Sequence, residues 1–316
     1  MKNANNWKLI ALLAGLVLIF FAVRIFRSPT LESNLPENLT DIDTTKVTEL
    51  VVTPAKDRSA EIRLVKTANT WELRKGDQVA HLEMGGGVTA LRSIMNLKPQ
   101  RIMSKKKEKW NDFSVGDSTG TRVKVMAGNS VKADLWIGRI GFTQNAGGNF
   151  SQGAFTHVRL NGDNDVFAVE GFLDGQFNRV FNDWRDQRFI RIKRDSIDKI
   201  TFRYPADSSF VLEKRNGKWM LGPDPADSAA VSSYLAGLEY KNLNSFNDHV
   251  PTGGAVAEIS FENHTKVVAK VEGWPQAGPW TFRSSEQPDT FFSSEGSSVM
   301  KDVWRGFKTF RKSNVK

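Results

Sequence analysis

The sequence predicts an α+β fold, in which an N-terminal transmembrane helix is followed by a duplicated unit of short antiparallel strands and helices. Three observations predict it. Residues 9–23 form an uninterrupted apolar run, one series of short apolar strands recurs in the same order in both halves of the chain, and an apolar stripe of helical spacing follows the opening strands of each half.

The first element is the apolar run itself. Residues 7–26 read WKLIALLAGLVLIFFAVRIF, and a helix of that length measures about 30 Å, the thickness of a hydrocarbon core. Residues 9–23 contain eleven Leu, Ile, Val or Phe side chains. At about −0.3 to −0.6 kcal/mol each they favour insertion by about 3–7 kcal/mol. Lys8 and Arg24 flank the run, where their stems can snorkel. Residues 23–27 (VRIFR) offer no small-residue cleavage site, so the run reads as a retained anchor over residues 1–27 rather than a discarded signal. Lys2 and Lys8 nearly balance Arg24 and Arg27 across it, and a short tail before a signal-like stretch favours export of the body. The expected location is therefore the inner (cytoplasmic) membrane, single-pass, with a periplasmic C-terminal domain.

Composition bounds the partners. Of the formal net charge of +9, four charges lie in the first 27 residues, which lack Asp and Glu, leaving +5 for residues 28–316. Basic tracts are few: Lys105, Lys106, Lys107 and Lys109, then a spaced set of Lys301, Arg305, Lys308, Arg311 and Lys312. Such runs are by default solvated faces; in an exported domain they imply no nucleic acid, and the functional alternative is the lipid bilayer's anionic headgroups. The chain has no cysteine, which excludes disulfides and cysteine lipidation.

Residues 28–45 are polar, with Pro29 and Pro36 and the acids Glu32, Glu37, Asp41 and Asp43, and read as a linker. From residue 46 the chain runs through one pattern twice. The first pass opens with Leu50, Val51 and Val52, an alternating strand over residues 60–65, and Trp71 to Leu73; the second opens with Ile200 to Phe202, residues 210–213, and Trp219 to Leu221. Leu64 to Trp71 and Leu212 to Trp219 share one spacing, and Asn216-Gly217 is a dipeptide suited to a tight hairpin because both residues tolerate positive φ. Helices follow: Val231, Tyr234, Leu235 and Leu238 form an i, i+3, i+4, i+7 face with Asp227 or Ser228 as cap, and Val88, Leu91, Ile94 and Met95 a weaker one. Further short strands follow in each pass. Each then closes on a helix with an i, i+4, i+7 stripe, Phe177, Phe181 and Trp184 in one and Val303, Phe307 and Phe310 in the other. The expected units are 46–194 and 195–316.

Residues 216–221 (NGKWML), together with residues 135–138 (LWIG), 156–160 (THVRL), 166–169 (VFAV) and 183–186 (DWRD), carry a resemblance. In this order they resemble the bacterial family catalogued as domain of unknown function 4340. The resemblance covers most of the chain after the linker and implies a single N-terminal span. It also implies an accessory envelope role, because family members are often encoded beside ABC-type transport or gliding-motility components. It carries over no catalytic residue.

Candidate chemistry is sparse. Residues 116–120 (GDSTG) match the G-x-S-x-G nucleophile elbow around Ser118, but an alternating strand follows instead of a helix, which favours a loop. His81, His157, His249 and His264 form no close ligand pair. Asp163-Asn164-Asp165 resembles the start of a calcium loop without its later glycine and glutamate, and reads as a hairpin turn. Gly85-Gly86-Gly87 lacks the G-K-[ST] of a phosphate loop and reads as a flexible turn before a helix. Two loops are candidates for interaction: residues 141–154, with Asn145 and Phe150, and residues 273–280, with Trp274 and Trp280, since exposed aromatic side chains anchor interfaces or stack on sugars. The expectation is a non-enzymatic accessory or scaffold subunit, with no cofactor and no metal, its partner an ABC-type permease or ATPase. The alternative is a binding module for cell-envelope glycan or peptidoglycan. Oligomeric state is left open.

Overall fold

A computed structural model describes residues 7, 11–17, 35–59, 61–68, 70–142, 153–264 and 266–312. Its body is dominated by two antiparallel sheets. The first contains β1 (Glu49–Thr53), β2 (Ile62–Lys66), β3 (Trp71–Lys75), β4 (Gln78–His81), β5 (Pro99–Ser104), β6 (Thr121–Ala127), β7 (Ser130–Phe142), β8 (Ala154–Leu160) and β9 (Val166–Glu170), in the order β4-β3-β2-β1-β6-β7-β8-β9-β5. Helix α1 (Gly86–Ile94) joins β4 to β5, and α2 (Leu173–Phe177) and α3 (Phe181–Trp184) follow β9.

After a connecting strand β10 (Arg188–Arg191), the second sheet repeats this threading. It uses β11 (Lys199–Arg203), β12 (Phe210–Arg215), β13 (Lys218–Leu221) and β14 (Asp224–Pro225), then helix α4 (Ser228–Leu238). Strand β15 (Tyr240–Asn242) pairs with β10. Strands β16 (Ala257–Asn263), β17 (Lys266–Trp274), β18 (Thr281–Ser284) and β19 (Gln287–Ser293) complete the order β14-β13-β12-β11-β16-β17-β18-β19. A short helix α5 (Val299–Asp302) and a 3-10 turn (Phe307–Phe310) close the described chain.

Local chemistry accounts for these elements. Ile62 and Leu64 face inward while Arg63 faces solvent, so β2 has one apolar and one wetted face. Asn216 and Gly217 adopt φ of 48° and 77°, and close the β12–β13 hairpin. The Asp227 carboxylate accepts from the Ala229 and Ala230 N–H groups, both at 3.0 Å, which caps α4 and contributes about 1 kcal/mol. The apolar face of α4 (Val231, Tyr234, Leu235 and Leu238) is buried. Each sheet covers its own core, one containing Leu50, Ile62, Leu64 and Trp184, the other Ile200, Phe202, Phe261 and Phe282. Each such side chain contributes about 1.5–3 kcal/mol by leaving water.

The expected α+β organisation with a transmembrane helix is corrected on two counts. Strands, not a balance of strands and helices, build the body, and its longest helix, α4, has 11 residues. The stripe of Phe177, Phe181 and Trp184 is split, because Asn178 leaves the helical region (φ −81°, ψ 54°) and Val180 is extended (φ −75°, ψ 166°). Among the described residues no helix is long and apolar enough to cross a membrane. This overturns the membrane anchor, the single-pass topology, and with them the inner-membrane and periplasmic location. Of residues 7–26, Trp7 and residues 11–17 are described and helical, and the others lie outside the described residues.

Residues 39–42, expected to belong to a linker, are packed into the first sheet's core. Leu39 and Ile42 are buried, and the Thr40 hydroxyl donates to the Ile94 carbonyl (2.6 Å) while accepting from the Leu97 N–H (3.0 Å). That segment closes the C-terminal end of α1.

Candidate functional site

A concavity of ≈ 1030 Å³ opens where the edge of the first sheet meets the second. One wall is β4 with Thr67, residues 70–72, Leu82 and Met84, the other is residues 286–291, and the floor comes from Arg185, Asp186, Arg188, Asn247, Asp248 and Val250. The segment after α3 runs alongside β4: the Asp186 N–H donates to the His81 carbonyl and the Glu83 N–H to the Trp184 carbonyl, both at 2.9 Å. Residues 81 and 83 therefore turn their backbone groups away from β3. With a period of two, Val79 turns its N–H and C=O the same way, and no hydrogen bond reaches them among the described residues. The Val79 side chain is 57% exposed at this open rung.

Ion pairs fix the floor. The buried Arg185 guanidinium donates to Asp248 Oδ1 (2.7 Å) and lies over the Phe246 ring at 3.8 Å. Gln78 Nε2 donates to the other oxygen of Asp248, so this carboxylate ties β4 to the second half. Burial pulls Arg185 below the ordinary arginine value, partly offset by Asp248. Arg188 donates from Nε (2.9 Å) and a terminal nitrogen (2.6 Å) to the buried Asp186 carboxylate, and reaches Glu286 at 3.2 Å. That hydrogen bonding to Asp186 raises Arg188 above its ordinary value. Gln287 Nε2 donates to the Asp186 and Arg188 carbonyls at 3.0 and 2.6 Å. The lining holds six carboxylates (Glu72, Asp77, Asp186, Asp248, Glu286 and Asp289) against Arg185 and Arg188, a formal excess of four negative charges in a chain of net +9. Asp77 and Asp289 form no ion pair among the described residues. Val79, Met84 and Val250, each more than half exposed, add apolar surface at the rim.

Of the residues singled out from the sequence, His81 lines the cleft and the others lie elsewhere. Trp274 is buried at the end of β17, where its indole N–H donates to the Gly253 carbonyl (3.1 Å) and its ring meets Phe291 edge-on. Trp280 is half-buried, 6.3 Å from Phe282 and 6.4 Å from Trp304 between ring centroids. Asn145 and Phe150 lie outside the described residues. Residues 116–120 form a turn: the Gly120 N–H donates to the Gly116 carbonyl (2.8 Å), and Asp117 accepts from the fully buried Arg159 (2.7 Å). His157 is buried with Nδ1 2.7 Å from the Arg139 carbonyl, and burial pushes it below the ordinary histidine value. Among the described residues, no group of three His, Cys, Asp or Glu side chains could hold a metal ion.

The cleft residues were missed because none belongs to a local motif. Residues 183–186 contributed to the family resemblance, but nothing in that tetrapeptide marks Arg185 as the partner of Asp248.

Two similarly threaded antiparallel sheets, joined by a short connector and flanking an acidic cleft, define the architectural class. The chain belongs to the family described as domain of unknown function (DUF4340), whose model matches residues 88–253. That span runs from α1 past Asp248, and takes in the floor of the cleft. No curated protein and no solved structure matches the chain.

Proposed function

We propose that the protein is a non-enzymatic accessory or scaffold subunit whose cleft takes up an extended segment of a partner protein. The observation that carries this reading is the open rung at Val79, an edge-strand backbone facing a cleft whose walls come from both halves. Strand addition uses such an edge: main-chain hydrogen bonds supply affinity, and the alternate side chains of the guest are read by the walls. The acidic excess favours a guest carrying Lys or Arg, since complementary charge steers association and fixes register. The candidate partner is the ABC-type permease or ATPase implied by the family resemblance. A glycan platform at Trp274 is not favoured, because that ring is already covered.

The test is site-specific photocrosslinking in cells. A photoreactive side chain at Val250 should capture the partner, and one at Val211 on the second sheet's outer face should not. Val79→Pro, which removes the edge N–H, should abolish capture at Val250 while leaving the melting temperature within a few degrees. Equal capture at both positions, or capture unaffected by Val79→Pro, overturns the reading.

A further inference from the structure

A second concavity lies within the second half, away from the cleft between the sheets. It has a volume of ≈ 180 Å³ and is lined by Tyr204, Trp280, Met300, Trp304 and Arg305, with Pro205, Ala257 and Gly306 completing it. Three aromatic rings form its body: the centroid of Trp304 lies 5.7 Å from Tyr204 and 6.4 Å from Trp280. Gly273 makes this possible. A Cβ there would sit 3.0 Å from Trp304 Cζ2, a tight contact that the bare backbone of glycine avoids, letting the indole lie this close to β17. The Tyr204 hydroxyl is already committed, donating to the Arg305 carbonyl at 3.0 Å and so holding the slot's two sides together.

Two polar groups of the slot are not committed. The Trp304 indole N–H is buried and has no hydrogen-bond partner. The Arg305 side chain makes no hydrogen bond or ion pair among the described residues. The acid that feels its charge, Asp302, is occupied by Lys241 and by the Ser298 hydroxyl at 2.5 Å. An aromatic slot lined by a half-buried arginine whose side chain is unpaired among the described residues is complementary to an apolar group bearing an anionic oxygen pair. The planar fork of arginine matches a carboxylate in two-point geometry, while flat rings accept an aromatic or branched chain. At ≈ 180 Å³ the space falls below the about 300–1,000 Å³ of sites for drug-sized ligands, which limits the guest to one side-chain-sized group.

We propose that this slot binds a compact apolar group carrying a carboxylate, with Arg305 as its anion partner and Trp280 and Trp304 as its walls. The chemistry is shared by a free small acid and by the C-terminal residue of a polypeptide. The site is separate from the cleft, so its failure leaves the reading of the cleft untouched.

The test uses the full chain and four probes: 3-phenylpropanoate, its amide, a hexapeptide ending in a free Phe carboxylate, and the same peptide amidated. Binding is read by saturation-transfer NMR and calorimetry. Both acids should bind and both amides should lose about tenfold or more in affinity, the loss expected when a charge-assisted pair is removed. Arg305→Gln should cost the acids the same factor with an unchanged melting temperature, since the Tyr204 hydrogen bond uses the Arg305 backbone. Trp280→Ala should weaken all probes alike. A hexapeptide that binds tighter than the free acid assigns the slot to polypeptide termini, and the reverse order assigns it to small acids. Amides that bind as well as acids, Arg305→Gln without effect, or no binding by a folded protein overturns the proposal.

Discussion

Gly86 and Gly87 are neighbours in the first turn of α1, both at ordinary φ, yet alanine should act on them in opposite directions. A Cβ on Gly86 would find Leu82 and Glu83 side-chain atoms at 3.5–3.8 Å, ordinary contact distances. Gly86→Ala should therefore realise the helix-propensity gain of up to about 1 kcal/mol and raise the melting temperature by about 2–4 °C. A Cβ on Gly87 would sit 2.3 Å from Trp71 Cγ and Cδ2, so the indole must leave its place against α1. Overpacking of this kind costs about 1–3 kcal/mol, which cancels or exceeds the same propensity gain. The two variants should thus differ by about 1–3 kcal/mol, read as a difference in melting temperature by far-UV circular dichroism. A double-mutant cycle isolates the cause: in a Trp71→Ala background the obstacle is gone, and Gly87→Ala should become as favourable as Gly86→Ala. If Gly87→Ala costs the same in both backgrounds, the contact with Trp71 is not what restricts this position. Trp71 also lines the cleft, so Gly87→Ala should reduce partner capture at Val250 as well.

Two further predictions concern buried titratable groups. Arg159 is 1% exposed, lies 3.7 Å over Trp110 and donates to the Val115 carbonyl (3.1 Å). Its truncation to Ala should cost about 2–4 kcal/mol in chemical denaturation, from lost packing and an orphaned carbonyl. Asp117→Ala should cost less than about 1 kcal/mol, because that partner is 70% exposed; equal costs would refute this asymmetry. Burial holds the folded-state value of His157 below its ordinary 6.5, so below pH 6.5 the unfolded chain takes up a proton that the folded chain refuses. Its contribution to stability is complete above pH 6.5 and declines as pH falls from there toward the folded-state value. His157→Phe should flatten the melting temperature against pH in that window, and an unchanged slope would remove His157 as its cause.

Individual strands were legible because two-residue alternation reports directly on which face is buried. Leu64 and Trp71 sit in one hairpin, Leu212 and Trp219 in another, and the Asn216-Gly217 turn adopts the conformation its composition favours. Helical spacing was less informative. Phe177, Phe181 and Trp184 are all buried, as are Val303 and Phe310, yet neither set belongs to one helix. Three buried points constrain the side of the chain that faces the core and leave the path between them free. The triplet Gly85-Gly86-Gly87 suggests a turn by composition, whereas Gly85 alone is left-handed (φ 74°) and the other two are helical. The cleft could not be seen in any window, since its central carboxylate, Asp248, binds groups 63 and 170 residues away in sequence.

The cleft has its origin in a difference between the two sheets rather than in any motif. After α1 the chain returns as β5 and pairs with β9 from Pro99 to Ser104, which covers that edge of the first sheet. After α4 the corresponding return is divided. Tyr240–Asn242 pairs instead with the connector strand β10, and Phe246 alone bridges to Phe292 on β19. The beginning of β19 therefore gains no return strand, and each missing rung forgoes about 0.5–1.5 kcal/mol. The side chain of Gln287 takes over part of that role by donating to the Asp186 and Arg188 carbonyls, and Arg188 reaches Glu286 beside it. The strand diverted from the second sheet thus secures the connector, and the connector in turn lines β4 only as far as His81. What remains open is the stretch from Val79 to residue 289, bounded on both sides by strands whose neighbours have gone elsewhere. An edge left unpaired by its own topology, tied to the second half through Asp248 and carrying an acidic excess, is the kind of surface to which an added basic strand would supply hydrogen bonds that the chain itself does not make.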